Sequence, residues 1–211
     1  PVMMFVQDNG MQAEFQLVDL FTGEHMGDAY GQINPNHLVP VLQDGDFRLT
    51  ESSAILKYLA DKIDSPAYPK DLQQRARVNE MMDWVNTQLA RDLAYGTVYA
   101  QIFPGHKRPS DEAQRITVAW GQERAKTWMT VLDQKLLGTG KPYLCGDTLT
   151  IADYYGASFV HLAEVIGSDL SAYPNVRAWL GRMKQRPTWD KVYAAINGFA
   201  QQLPKGQLAT V

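Results

Sequence analysis

The stretch LVPVLQDGDFRLTESSAILKYLADKI, residues 38–63, holds three local signals in succession. Its first part reads as a strand, a turn at Asp44-Gly45-Asp46 and a second short strand, which together make a hairpin. Its last part, from Ser52 onward, sets Ile55, Leu56, Leu59 and Ile63 on one face of an amphipathic helix. Between them, Thr50, Glu51, Ser52 and Ser53 crowd hydroxyls and a carboxylate at the helix start. As structure, Ser52 is an N-cap worth about 1 kcal/mol and Glu51 favours the positive end of the helix dipole. As chemistry, the same group is a grip for a small zwitterion. Free backbone N–H groups and a hydroxyl suit a carboxylate, and Glu51 suits an ammonium. Both readings stand at this point.

Upstream, PVMMFVQDN puts Val2, Phe5 and Val6 at helical spacing, with Gly10 as a stop. AEFQLVDL, residues 13–20, alternates Phe15, Leu17 and, less cleanly, Leu20, and reads as a strand. The order helix, strand, hairpin, helix makes residues 1–65 a small α/β domain. The prolines of DSPAYPKD make 66–71 a linker. Residues 72–199 then read as an all-α domain. Its first helix runs without proline from 72 to 103, with Val78, Met81, Met82, Val85, Leu89 and Leu93 inward. Ser110 caps a second long helix, with Asp111 and Glu112 in its first turn and Gly138 at its end. LTIADYY opens a third, with Thr150 as cap and Asp153 at the third helical position; this pair reads as a structural capping box. Pro174 and Pro187 stand near the starts of two shorter helices. Residues 200–211 read as a tail.

Composition narrows the function. Charged residues are 20 % of the chain, both signs are interspersed and the net charge is −3, so there is no clustered basic footprint for nucleic acid. No apolar run reaches the roughly 18 residues of a membrane span, and PVMMFV has neither a basic leader nor a cleavage site. The single cysteine, Cys145, excludes an internal disulfide framework and fits a reducing cytoplasm. It lies in the turn before Thr150, where a structural role is expected. No metal site is expected.

Four stretches together resemble glutathione S-transferases, nearest the theta class and its theta-like bacterial branch. They are DLFTGEHM, INPNHLVPVLQDGDFRLTESSAILKYLAD, YPKDLQQRARVNE and YLCGDTLTIADYY. The likeness is strong over residues 15–80 and looser to about 197. It implies a thioredoxin-like N-terminal domain, a helical C-terminal domain and a homodimer in the cytoplasm. It also implies a strand ahead of the first helix, roughly ten to twenty residues long with its loop. The family's thiol-activating Ser, Cys or Tyr lies in that loop. The expectation is therefore a catalytic residue upstream of Pro1 and none within this chain.

By the same resemblance, Glu51 and Ser52 match the family's γ-glutamyl-binding pair. Val39 and Pro40 match its cis Val-Pro turn, in which the valine main chain pairs with the cysteinyl unit of glutathione like an added strand. His25 falls near the glycyl carboxylate. Leu38 stands where relatives often carry Lys or Gln, which leaves His37 or His25 to hold that end. Arg91, Tyr95, Tyr99 and Phe103 recur every four residues and drift by about 40° per step, so they form an oblique stripe. That stripe reads as core or as the wall of a hydrophobic-substrate pocket, and Trp120 is open to the same two readings.

The expected activity is attack by the glutathione thiolate on a hydrophobic electrophile, with glutathione as co-substrate in detoxification. A non-catalytic glutathione-binding or interaction module of the same fold is the first alternative. A glutathione-dependent disulfide or peroxide reductase is the second.

Overall fold

The computed structural model describes residues 1–138, 140–204 and 206–211. Helix α1 (Val2–Asp8) buries Met4, Phe5 and Val6. Its C-cap is Asn9, and Gly10 follows in the left-handed region at φ +63°, as its place in the sequence implied. A short helix α2 (Asp28–Gly31) buries Tyr30. Strands β1 (Leu42–Asp44) and β2 (Phe47–Leu49) then form the expected hairpin, with Leu42 opposite Leu49 and Asp44 opposite Phe47. Gly45 supplies the positive φ, +59°, that the two-residue turn requires. Helix α3 (Ser52–Lys62) buries Ile55, Leu56, Leu59 and Ala60. Ile63, expected on that face, is instead the C-cap residue and remains partly exposed, because the helical periodicity has ended.

The strand expected over residues 13–20 does not form. A strand needs a neighbour's N–H and C=O groups. Among the described residues the sheet consists of β1 and β2, which pair with each other alone. Residues 13–20 meet no ladder partner, and Leu17 is 92 % exposed. Alternation of apolar residues therefore did not suffice to make a strand.

Helix α4 (Leu72–Trp84) begins at Asp71, whose Oδ1 accepts the Gln74 N–H at 2.9 Å. Its winding widens to i→i+5 across Val85–Tyr99 and closes in α5 (Ala100–Ile102). The Thr97 hydroxyl donates to the Asp92 carbonyl, five residues back, at 2.8 Å. All six residues expected inward on this rod are buried. Helix α6 (Asp111–Val131) starts at the expected cap, with Ser110 Oγ accepting from the Ala113 N–H at 3.2 Å. It packs along the wide segment where Gly121 meets Gly96. A Cβ on Gly121 would lie 2.6 Å from the Gly96 carbonyl carbon, so any larger residue there would separate the two helices.

Helix α7 (Ile151–Val165) runs through the centre of the helical layer. Asp153 is fully buried and accepts four hydrogen bonds. They come from the Thr150 N–H (2.8 Å), the Thr150 hydroxyl (2.9 Å), the Leu144 N–H (2.8 Å) and the Trp179 indole N–H (2.9 Å). Burial pushes its pKa up, and these donors pull against that. Helices α8 (Pro174–Lys184) and α9 (Trp189–Ala200) complete the layer.

The segment read as a linker is packed down. Ala67 and Tyr68 are buried, the Ala67 carbonyl accepts the Ile151 N–H at 3.0 Å, and the Arg75 guanidinium lies 4.2 Å from the Tyr68 ring centre. The C-terminal segment is likewise docked. Gln101 exchanges two hydrogen bonds with the Ala209 main chain (2.8 and 3.1 Å), and Gln122 donates to the Thr210 carbonyl at 2.6 Å. Among the described residues no helix is long and apolar enough to cross a membrane.

Candidate functional site

The loop between α2 and β1 is held from beneath by one carbonyl. The Tyr30 hydroxyl (2.8 Å) and the Asn34 amide (2.7 Å) both donate to Leu38 O, and both residues are buried. This fixes the chain just before Val39. The Val39–Pro40 bond is cis. Neither the N–H nor the C=O of Val39 has a hydrogen-bond partner among the described residues, so its main chain is free to pair with an extended ligand.

The start of α3 differs from a simple capped helix. The cap position belongs to Glu51, and Ser52 is the first helical residue. The reading of Ser52 as N-cap is thus corrected by one residue. Glu51 has φ +65°, an uncommon value for a residue with a side chain, and its carboxylate caps nothing. It forms no ion pair among the described residues. The first-turn N–H groups of α3 therefore stand beside a hydroxyl and an unpaired carboxylate.

These elements form one side of a cavity of about 310 Å³. The other side comes from the helical layer: Asn86, Tyr95 and Tyr99 of the wide segment, Tyr155, Ser158, Phe159 and Leu162 of α7, and Tyr193 and Ile196 of α9. Tyr95 and Tyr99 meet edge to face at 5.1 Å between ring centres. The Tyr155 hydroxyl donates to Asn86 Oδ1 at 3.1 Å. The Ser158 hydroxyl donates to the Tyr154 carbonyl at 2.9 Å and is also hydrogen-bonded to the Tyr193 hydroxyl. Burial pushes the Tyr155 and Tyr193 phenols up to about 12 and the Tyr99 phenol higher still, so all three stay neutral at physiological pH. The cavity thus has an anionic and N–H-rich end at Glu51–Ser52 and an aromatic end ringed by neutral hydroxyls.

Of the residues singled out in the sequence, the cavity brings together Val39, Pro40, Glu51, Ser52, Tyr95 and Tyr99. Five others lie outside its lining. Arg91 is drawn off by Asp92, which accepts from its Nε at 2.9 Å and Nη2 at 2.8 Å. Trp120 sits on the outer face of α6, 63 % exposed. Phe103 packs against Tyr99 (5.3 Å) and Phe21 (5.4 Å) as backing to the aromatic end. His37 spends its Nδ1–H on the His25 carbonyl at 2.6 Å, pinning two loops together. His25 has a buried Nδ1 without a partner among the described residues.

The residues of α7 and α9 were missed by sequence reasoning, although a signal existed. Tyr155, Ser158, Phe159 and Leu162 fall at i, i+3, i+4 and i+7, which is one helical face. That face was masked because the whole helix is apolar, so no stripe stood out. Cys145 does not line the cavity, and burial pushes its thiol up to about 11. Among the described residues no group of three or more His, Cys, Asp or Glu side chains is placed to hold a metal ion.

Comparison with known proteins matches this architecture. The glutathione S-transferase N-terminal domain model matches residues 1–62 and the C-terminal domain model residues 66–182. The chain is 34 % identical to human glutathione S-transferase theta-1 over 188 residues, which is 87 % of this chain and 76 % of that one. It is 36 % identical to human glutathione S-transferase theta-2 over 189 residues, covering 87 % and 75 %. The apo structure of human glutathione S-transferase T1-1 superposes with a TM-score of 0.81 at 31 % identity, over 98 % of this chain and 87 % of that one. Human glutathione transferase theta-2, in complex with glutathione and an unknown ligand, gives 0.79 at 31 % identity over 99 % and 87 %. The chain belongs to the glutathione S-transferase family.

Proposed function

We propose that this glutathione transferase binds glutathione along the Val39–Glu51–Ser52 side of the cavity and a hydrophobic electrophile at its aromatic end. The observation that carries the placement is Glu51, at positive φ beside the first-turn N–H groups of α3, its carboxylate without a cation partner among the described residues. Glutathione's glutamyl head presents an ammonium to that carboxylate and a carboxylate to those donors. The free main chain of Val39 suits the cysteinyl unit. Of the two histidines, His37 is committed to the loop, which leaves His25 for the glycyl carboxylate.

The chain's own residues position the tripeptide and exclude water. A free thiol with a pKa near 8.5 is only about 3 % thiolate at pH 7, and lowering it by about two units takes about 2.7 kcal/mol. The aromatic end supplies a low-dielectric wall, in which a single donor to the sulfur is worth more than in water. The thiolate then forms the bond to carbon as the electrophile's leaving group departs or its double bond takes up the electron pair. Tyr95, Tyr99, Phe159, Leu162 and Ile196 select for apolar substrates. We place the protein in the cytoplasm as a homodimer.

The test is glutathione-dependent consumption of a panel of hydrophobic electrophiles, with the spontaneous rate subtracted. Turnover of at least one member is expected. Binding of glutathione without turnover of any would overturn the catalytic reading in favour of a binding module.

A further inference from the structure

Two of the elements that wall the aromatic end of the cavity run on past it. The wide segment lines the cavity with Tyr95 and Tyr99, and its chain continues through α5 to Phe103. Helix α9 lines it with Tyr193 and Ile196 and continues to Phe199. One turn beyond the lining, Phe21, from the loop ahead of α2, is in ring contact with both. Its ring centre lies 5.4 Å from that of Phe103 and 4.8 Å from that of Phe199. Phe103 in turn meets Tyr99 edge to face at 5.3 Å. Resting on the electrophile reading above, we propose that Phe21 is a specificity-determining residue: by bridging Phe103 and Phe199 it ends the electrophile site and sets the greatest length of apolar substrate.

The loop holds this ring in place by its own main chain. The Asp19 carboxylate accepts the N–H groups of Phe21 at 2.8 Å and Thr22 at 3.2 Å, and the Asp19 carbonyl accepts the Glu24 N–H at 3.1 Å. The Glu24 carboxylate accepts the Asp19 N–H at 2.7 Å. These bonds fold the loop around Asp19 whatever side chain stands at position 21. The loop is also tied to the glutathione side, through the His37 ring on the His25 carbonyl at 2.6 Å. Phe21 therefore reaches from the glutathione-binding side of the molecule to the helical layer. It is 52 % exposed, so packing on Phe103 and Phe199 buries only about half of its ring. An apolar substrate tail laid against it would cover more. Space sets the limit. The cavity, about 310 Å³, lies at the low end of the range of about 300–1,000 Å³ for small-ligand sites, and it must take glutathione and electrophile together. Only a compact electrophile fits within the lining. A longer one extends past Tyr99 and Ile196 and meets Phe21 after one helical turn, about 5–6 Å.

A homologous series of electrophiles, from benzyl to 6-phenylhexyl isothiocyanate, tests this on wild-type protein, Phe21→Ala, Phe21→Leu and Phe21→Trp. In each reaction the glutathione thiolate bonds to the isothiocyanate carbon, the C=N electron pair moves to nitrogen, and nitrogen takes a proton from water. In the wild type, kcat/KM should rise with the first added methylenes and fall beyond them. In Phe21→Ala it should keep rising, by about fourfold per methylene buried. The ratio of the longest to the shortest substrate should then exceed the wild-type ratio at least tenfold, through KM rather than kcat. Phe21→Leu should fall between the two, and Phe21→Trp should move the limit to a shorter chain. The leucine variant keeps an apolar side chain on the two rings and carries the test if the alanine variant does not fold. The same length profile in wild type and variants would overturn the proposal. So would an equal fractional loss for every member of the series, which would leave Phe21 as a packing residue. A wild type that binds glutathione but consumes no member of the series would bring down the electrophile reading and this inference with it.

Discussion

Asp8 on α1 and Arg186, just beyond α8, meet at 2.7 Å across 178 positions of sequence. The Asp8 side chain is 1 % exposed and also accepts the Tyr154 hydroxyl at 3.0 Å and the Thr188 hydroxyl. Phe5 packs edge to face on Tyr154 beside it, at 5.4 Å between ring centres. This pair, with its carboxylate buried, joins α1 to the helical layer. Truncating Arg186 to Met strands a buried carboxylate. The loss should be about 3 kcal/mol, at the low end for buried pairs because Arg186 keeps a third of its surface in water. Urea unfolding measures it, and a loss below about 0.5 kcal/mol, the scale of an ordinary surface change, would contradict the assignment.

Asp153→Ala removes the acceptor for four donors at the start of α7. Leaving the Trp179 indole and three other groups unsatisfied in a dry interior should cost about 3–5 kcal/mol. Thr150→Ala should cost about 1–2 kcal/mol, as for a lost cap. Neither residue lines the cavity, so the folded fraction should turn over at the wild-type rate. A variant of normal stability that had lost activity would refute the structural role.

Asp92 gives the pH dependence of the helical layer a sign. Burial alone would push its carboxyl up, but hydrogen bonds from Arg91 and the Trp128 indole (2.6 Å) outweigh that and hold it below its ordinary value. A carboxyl depressed in the folded state stabilises fully above its unfolded pKa, near 4. The contribution is lost as pH falls from there through the folded value. The wild-type urea midpoint should therefore drop more steeply between pH 5 and pH 3 than that of Asp92→Asn. Parallel profiles would count against it.

Cys145 should be a poor nucleophile. With its thiol near 11, only about 0.1 % is thiolate at pH 8. Alkylation by iodoacetamide, followed by intact mass, should be slow at pH 8 and rise roughly tenfold per pH unit up to about 11. Fast labelling at pH 7 would show a thiol outside the buried setting described.

The sequence made the local elements legible wherever a single chemical rule decides them. The hairpin followed from Asp44-Gly45-Asp46, the start of α6 from Ser110, and the start of α7 from Thr150 and Asp153. That Val39, Pro40, Glu51 and Ser52 line one side of a single cavity was legible through the family resemblance, because they are close in sequence. Long-range relationships were not. Residues 13–20 alternate like a strand but meet no ladder partner. Arg91 reads as a pocket cation until Asp92 is seen to hold it. The opposite wall comes from α7 and α9, whose apolar faces look alike until packing shows which one opens on the cavity. The one-residue shift of the cap from Ser52 to Glu51 depends on a positive φ that no composition rule assigns to glutamate.

Glutathione titration of wild-type protein and Glu51→Gln, followed calorimetrically, tests the placement of the ligand most directly. Wild type should bind saturably below millimolar concentration. Glu51→Gln should bind about tenfold more weakly, the scale of one charge-assisted hydrogen bond. No saturable binding by the wild type, or equal affinity for the two proteins, would contradict it.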